Sequence, residues 1–445
     1  MNKTVYIVHS IDTEGPLNED LNATFIRLKD SFGINLSPSY KTLIKLQNKS
    51  IKLNGLENAV SKFVSANLLK YNKNWTDVDK MLDKLLTKNF RNKLLDSFGN
   101  GWIYNWHCMD HVGFIENPRK RDLGFHKIFD HYKKKIEETL SFQDAIHFHH
   151  HPIPFLKQAH IPATHFFSHT PVIYEIIARK IIDRKWFPSV YRPGFHSTRP
   201  DSHWFLEQFI PFDIANQKNK DNYSQFKDIG NGRFGDWRRA PMSWEPYHPS
   251  HDDYQKKGNC RRWICKSLNL GTRHKLLKID DIRQAFKEAA MGKPVLLSFN
   301  DHDFRDIGPD VIKFQAMIRK VSKEFPDIKY KFCEARNGIR EALKLRKKTH
   351  INFKINIQAN VLHISTTKPT FGPQPFLAIK TKKGKYFHDN FDFQKSFYEW
   401  TYTFDAITLP FNQIESIGVG TCDSFGNVTV LNINPKTMQS TQTKI

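Results

Sequence analysis

The chain has 445 residues, 39% hydrophobic and 25% charged, and its 68 Lys and Arg against 45 Asp and Glu give a formal charge of +23 at pH 7. That length accommodates two or three domains with a substantial core, and no run of about 18 apolar residues is present to cross a membrane. The five cysteines (Cys108, Cys260, Cys265, Cys333, Cys422) are odd in number and scattered without a C-x2-C pair, so they imply neither a disulfide framework nor a thiolate zinc knuckle.

Reduced thiols and a start that lacks the apolar run of a signal peptide lead us to expect a cytoplasmic protein. The positive charge favours acidic partners, such as phosphorylated substrates or peripheral contact with an anionic membrane. The basic runs at 117–121 and 344–348 are short and interrupted, so they read as solvated faces and no nucleic-acid partner is expected.

Taken in order, residues 5–8 read as a buried strand that ends in His9-Ser10-Ile11-Asp12-Thr13-Glu14-Gly15-Pro16. Asp12 and Glu14 alternate with Thr13, so extended geometry puts both carboxylates on one side. Residues 17–100 read as a mostly helical insertion. Its strongest helix is expected to start at Thr76 as N-cap, with Val78, Met81, Leu82, Leu85 and Leu86 on one stripe. Residues 102–106 look like a second strand and 126–140 a Lys-rich helix.

Then comes His147-Phe148-His149-His150-His151-Pro152. Imidazole is the commonest protein metal ligand, so this density predicts a metal site. Extended, His147, His149 and His151 share a face; in a helical turn His147 and His151 meet at i, i+4. Pro152 disfavours the helical turn, and both geometries retain His147 and His151.

A helix is expected to open at Thr170-Pro171, with Ile173, Ile176, Ile177 and Ile181 along its core face. Residues 189–195 form a strand and turn that place Arg192 at the strand end, where its fork can hold a carboxylate. Residues 213–268 read as aromatic binding loops that include Asp236 and Trp237. The clearest buried strand, 294–299, ends in Asn300-Asp301-His302-Asp303, between helices at 281–290 and 310–323, and 330–333 is one more strand.

Alternating strands and helices with polar residues at strand ends describe an α/β barrel or a doubly wound sheet over 1–345. After the basic run the pattern becomes short alternating strands, and 350–445 reads as a separate, independently folding β-sandwich-like domain.

Four strand ends, in this order, resemble the motifs of the polysaccharide deacetylases of carbohydrate esterase family 4, the NodB-homology family. Asp12-Thr13-Glu14-Gly15 is similar to the first motif, His147 to Pro152 to the H-(S/T)-x-x-H-P motif, and Arg192-Pro193-Gly194 to the arginine motif. His302 matches the last histidine, and Asp236-Trp237 stands for the Asp-Trp motif. The two acids are separated by one residue here, whereas the family has adjacent aspartates.

The resemblance implies a distorted (β/α) barrel carrying the 17–100 insertion. It also implies a divalent metal, Zn2+, held by Glu14, His147 and His151, with Asp12 as base oriented by Arg192 and His302 as acid. Asp236 and Trp237 would line the substrate site. The implied reaction is deacetylation of an N-acetylated sugar, nucleotide- or lipid-linked, in surface polysaccharide synthesis. A catalytically silent carbohydrate-binding barrel and a metal-dependent hydrolase of another bond are the alternatives.

Overall fold

A continuous apolar run, Val5-Tyr6-Ile7-Val8, makes β1 (Thr4–Thr13) the longest strand of the first sheet in the computed structural model, which describes residues 3–159, 171–220, 235–345 and 350–445. Helices α1 (Leu21–Phe32), α2 (Tyr40–Gln47), α3 (Glu57–Phe63), α4 (Trp75–Leu85) and α5 (Lys88–Asn92) form the insertion. Then follow β2 (Asn105–Cys108), α6 (Lys127–Glu138), β3 (Ala145–His150), α7 (Val172–Arg184), β4 (Val190–Pro193), α8 (Pro200–Phe209), β5 (Phe212–Asn216) and β6 (Trp263–Asn269). The first unit ends with α9 (Ile279–Ala290), β7 (Leu296–His302), α10 (Gly308–Glu324), β8 (Lys329–Phe332) and α11 (Ala335–Ala342).

Strands β2 to β7 are parallel and hydrogen-bonded in chain order, and β1 lies beside β7. The sheet closes because Ser10–Thr13 of β1 also pairs with β2, while Thr4–Ile7 of the same strand pairs with β8. The result is a seven-stranded parallel barrel ringed by helices. The outward side chains of β1 (Val5, Ile7, Ile11) join one apolar cluster with α4, α6, α9 and α10. The inward Val8 meets Val190, Phe212, Ile214, Cys265, Leu296 and Ile339, which plug the barrel at the N-terminal ends of its strands.

The insertion is helical, as its stripe implies, but α4 begins at Trp75. Asn74 rather than Thr76 caps it, its side chain accepting from Asp77 N–H, and Val78, Met81, Leu82 and Leu85 are buried. Strand β2 starts three residues later than expected, where pairing with Ser10 and Ala145 begins. The stretch read as loops is bounded by two strands, β5 and β6, whose buried FDIAN and WICKSLN carry no alternation. Thr170 and the basic residues 346–348 lie outside the described residues.

The insertion is fastened to the barrel by a buried acid. Glu19 accepts from Arg27 Nε (3.0 Å) and Thr24 Oγ1 (2.9 Å), and Arg119 Nε lies 2.8 Å away. Burial by itself would raise its pKa, but the two guanidiniums outweigh it and hold the carboxyl at about 2 instead of 4.5. Its contribution is therefore complete above pH 4.5 and is lost as pH falls towards 2. Chemical-denaturation midpoints followed down this range should fall less steeply in Glu19→Gln than in the wild type.

Beyond the barrel, nine strands form two antiparallel sheets, one of five and one of four strands. Residues from both, including Leu362, Ile364, Trp400, Ile379, Ile417 and Leu431, share one core. The outer face of the five-stranded sheet is not free. Its Phe376, Ala378, Cys422, Val428 and Val430 belong to the same cluster as Ile173, Ile177 and Ile181 of α7. The approach requires glycine: a Cβ on Gly418 would sit 2.5 Å from Ile181 Cγ2, and one on Gly420 2.5 Å from Phe187 Cδ2.

This shared core works against the expectation that 350–445 is separable. Each aliphatic side chain uncovered costs about 1.5–3 kcal/mol, and several together approach the about 5–15 kcal/mol that holds a typical domain. Truncation after residue 345 should therefore give an insoluble or dye-binding barrel, checked by solubility and cooperative thermal unfolding. A soluble, cooperative fragment would show the interface to be dispensable.

Candidate metal centre

The carboxyl ends of β1, β3, β4 and β7 meet at one mouth of the barrel, where α/β barrels gather their polar side chains. Here one ligand atom each from Glu14, His149 and His151 lies within 4.8 Å of the others, and all three residues are buried. His149 Nε2 is 2.9 Å from His151 Nε2, and Glu14 Oε1 is 3.6 Å from His151 Nε2.

The proton positions follow from the partners. His149 Nδ1 lies 2.8 Å from the Arg192 carbonyl, which can only accept, so Nδ1 carries the proton and in the neutral ring Nε2 presents a lone pair to the centre. Burial, reinforced by His149, pushes His151 well below the usual imidazole range and so keeps it neutral. Burial would raise Glu14, but Arg121, whose Nη2 is 2.6 Å from Glu14 Oε2, and then His302 outweigh it and hold the carboxylate at about 2. Two imidazoles and an ionised carboxylate, converging in a buried site, are the donor types Zn2+ takes.

His147 is not in this group. Its Nε2 is 3.1 Å from Asn105 Oδ1 and 3.4 Å from Glu334 Oε1, deeper in the barrel. Asn105 Oδ1 also accepts from Ala335 N–H at 2.7 Å, so His147 helps seat α11. The reason is strand geometry: residues four apart on a strand lie roughly 13 Å apart, too far for one ion, whereas residues two apart share a face at about half that distance.

Around the triad, Asp12 receives Arg192 Nε and, at 3.1 Å, Arg192 Nη2. The same guanidinium donates to the Ile214 carbonyl at 3.2 Å and to the His196 ring. His302, register partner of Asp12, places Nε2 3.5 Å from Asp12 Oδ2 and 4.0 Å from Glu14 Oε1. Burial pushes the His302 pKa well down, although Glu14 pulls it the other way. Its Nδ1 is buried with no hydrogen-bond partner among the described residues.

The structure also supplies residues that the sequence did not single out. Asp303 accepts the backbone N–H groups of Glu14 (2.8 Å) and Gly15 (2.9 Å) and the hydroxyl of Tyr132 (2.8 Å), clamping the loop that carries Glu14. Gly15 has φ +69°, the left-handed region, which suits glycine. His111 Nε2 lies 2.9 Å from the Glu14 carbonyl. Arg121 belongs to a run that reads as a solvated face, yet it is buried on Glu14.

The Asp-Trp pair is placed differently from the implied substrate site. Asp236 is engaged by Arg238 at 2.9 and 3.0 Å towards the surface. Trp237 is buried among Ala215, Tyr247 and Ile264, so its ring face is not open to a sugar. Its Nε1–H holds the His196 carbonyl at 2.8 Å, and so it supports Arg192 indirectly. No protein-family model matches this chain, and no curated protein matches it. Among the described residues no helix is long and apolar enough to cross a membrane.

Proposed function

We propose that the chain is a metal-dependent deacetylase of the polysaccharide deacetylase type, its barrel a variant of the NodB-homology fold, hydrolysing the amide of an N-acetylated sugar. The observation that carries this reading is the Glu14, His149, His151 triad beside an Asp12 held by Arg192, with His302 3.5 Å from that carboxylate. A divalent metal, Zn2+, bound by the triad would polarise the acetyl carbonyl and acidify water.

Asp12, kept oriented by two guanidinium nitrogens of Arg192, takes the proton of the attacking water. His302 Nε2, 3.5 Å from Asp12 Oδ2, receives that proton and passes it to the departing amine, giving acetate and a free amino sugar. The burial of Asp12, Glu14 and His149 excludes bulk water and strengthens these interactions. The ligand pair two apart at the end of β3, rather than four apart, would be this chain's departure from the family pattern. A nucleotide- or lipid-linked sugar precursor made in the cytoplasm for surface polysaccharide is the substrate class we favour.

Acetate release from N-acetylated sugar nucleotides and oligosaccharides is the test. Activity should vanish with a chelator and return with Zn2+. Metal-loaded protein that releases no acetate from any of them would overturn the reading.

A further inference from the structure

Four loops meet over Glu14 at the barrel mouth: the residues after β1, the end of the insertion's first part, the loop after β2 and the loop after β7. Their backbones are tied together, Leu17 N–H to Asn72 O (2.9 Å), Asn18 N–H to Arg119 O (3.0 Å) and Asn72 N–H to Phe304 O (2.9 Å). Into this junction they bring arginines stacked on aromatic faces. The guanidinium of Arg119 lies 5.5 Å over Tyr71, and those of Arg121 and Arg305 lie 4.6 and 4.8 Å over Phe304. Tyr71 and Phe304 are 6.1 Å apart, and Phe304 is 4.8 Å from the ring of His302. Beside them Arg27 and Arg273 lie over Phe63, at 3.9 and 5.4 Å.

The charges do not balance. Glu19 serves Arg27 and Arg119, and Glu14 serves Arg121, so three of the five guanidiniums share two carboxylates. Arg273 and Arg305 form no ion pair among the described residues. They donate to carbonyls, Arg273 Nε to Phe63 O at 3.0 Å and Arg305 Nη2 to Gly271 O at 2.8 Å. Arg121 Nη1 and Arg273 Nη2 are buried without a hydrogen-bond partner among the described residues. Asp301 and Asp310 also act on Arg305; burial pushes Asp301 well above the usual carboxyl range, and Asp310, raised to about 6, adds one negative charge at neutral pH, which still leaves more guanidiniums than carboxylates. Tyr71 reports the resulting potential: burial would raise its phenol, yet Arg27 and Arg119 bring it below the usual value.

A largely buried surplus of cations is costly unless an anion shares the site. Planar forks stacked on rings and converging from several loops match the oxygens of a phosphoryl group, and a surplus above one charge favours a multiply charged anion. We propose that Arg119, Arg121, Arg273 and Arg305 bind a phosphoryl or diphosphoryl group beside the metal triad, so that the substrate carries its sugar on a phosphate ester. Assigning that group to the substrate rests on the deacetylase reading; the anion site does not. The insertion then has a functional role, since it supplies Tyr71, Phe63 and Arg27.

Calorimetric titration of the full-length chain with inorganic pyrophosphate, with and without Zn2+, tests this. Arg273→Gln and Arg305→Gln are the informative variants, because Arg121 touches Glu14. Pyrophosphate should bind the wild type whether or not metal is present. Each variant should bind it roughly tenfold or more weakly, Arg273→Lys should fall between, and circular dichroism should be unchanged. A uridine diphosphate that competes with pyrophosphate would indicate a nucleotide source. Phosphatidylglycerol vesicles that compete, with variant-sensitive binding, would indicate a lipid-linked one. Absence of pyrophosphate binding, binding that requires metal, or binding by both variants as tight as by the wild type would overturn the anion site. Pyrophosphate binding without deacetylation of any N-acetyl sugar would uphold the site and remove only the substrate assignment.

Discussion

His149→Ala should strip the metal centre while His147→Ala leaves it filled. Wild-type protein is expected to hold about one divalent metal per chain, since Glu14, His149 and His151 form the one such group found among the described residues. Losing a direct ligand should cost more than the roughly 10- to 100-fold seen when only a supporting residue is lost. His151→Ala should behave like His149→Ala. In His147→Ala the Asn105 side chain keeps its bond from Ala335 N–H, so the fold survives with a small cavity and the metal stays. Elemental analysis with circular dichroism reads this directly. Metal loss in His147→Ala with retention in His149→Ala would reassign the ligands to the pair four apart.

The second large effect separates base from ligand. Asp12→Asn preserves shape and removes charge, so metal should remain while the rate falls by about 10²- to 10⁴-fold, the usual contribution of a general base. It also leaves the Arg192 guanidinium, fully buried, without its carboxylate, which costs on the order of 3–5 kcal/mol. A lowered melting temperature should therefore accompany the lost activity. Glu14→Gln should instead lower metal occupancy and be partly rescued by excess zinc. An empty site in Asp12→Asn and a full one in Glu14→Gln would reverse the two roles. If neither substitution altered metal content or acetate release, the deacetylase proposal would fail.

Both predictions depend on how deep in the barrel each side chain sits, and here sequence and tertiary structure divide the work. The apolar runs at 5–8 and 294–299 announce buried strands because a parallel sheet covered on both faces needs them, and β1 and β7 are where those runs lie. The polar ends of those strands, with Asp12, Glu14 and His302, are legible for the same reason: chemistry collects where the strand leaves the core. The change to short alternating segments after residue 350 likewise appears as two antiparallel sheets.

The sequence by itself therefore determines which faces are buried, where strands end and which residue types gather there, since these follow from a period of two or 3.6 along the chain. It places His147, His149 and His151 on one face, but a period carries no height. Only the parallel register of β3 against β2 and β4 decides that His149 and His151 reach Glu14 while His147 stays below with Asn105. The same holds for contacts between residues far apart in the chain. Asp303 clamping the Glu14 loop, Arg121 leaving a seemingly solvated run to bind Glu14, and Gly418 and Gly420 admitting Ile181 and Phe187 all arise when separate loops and layers close on one another. Those meetings are set by barrel closure and layer packing, which local propensity does not encode.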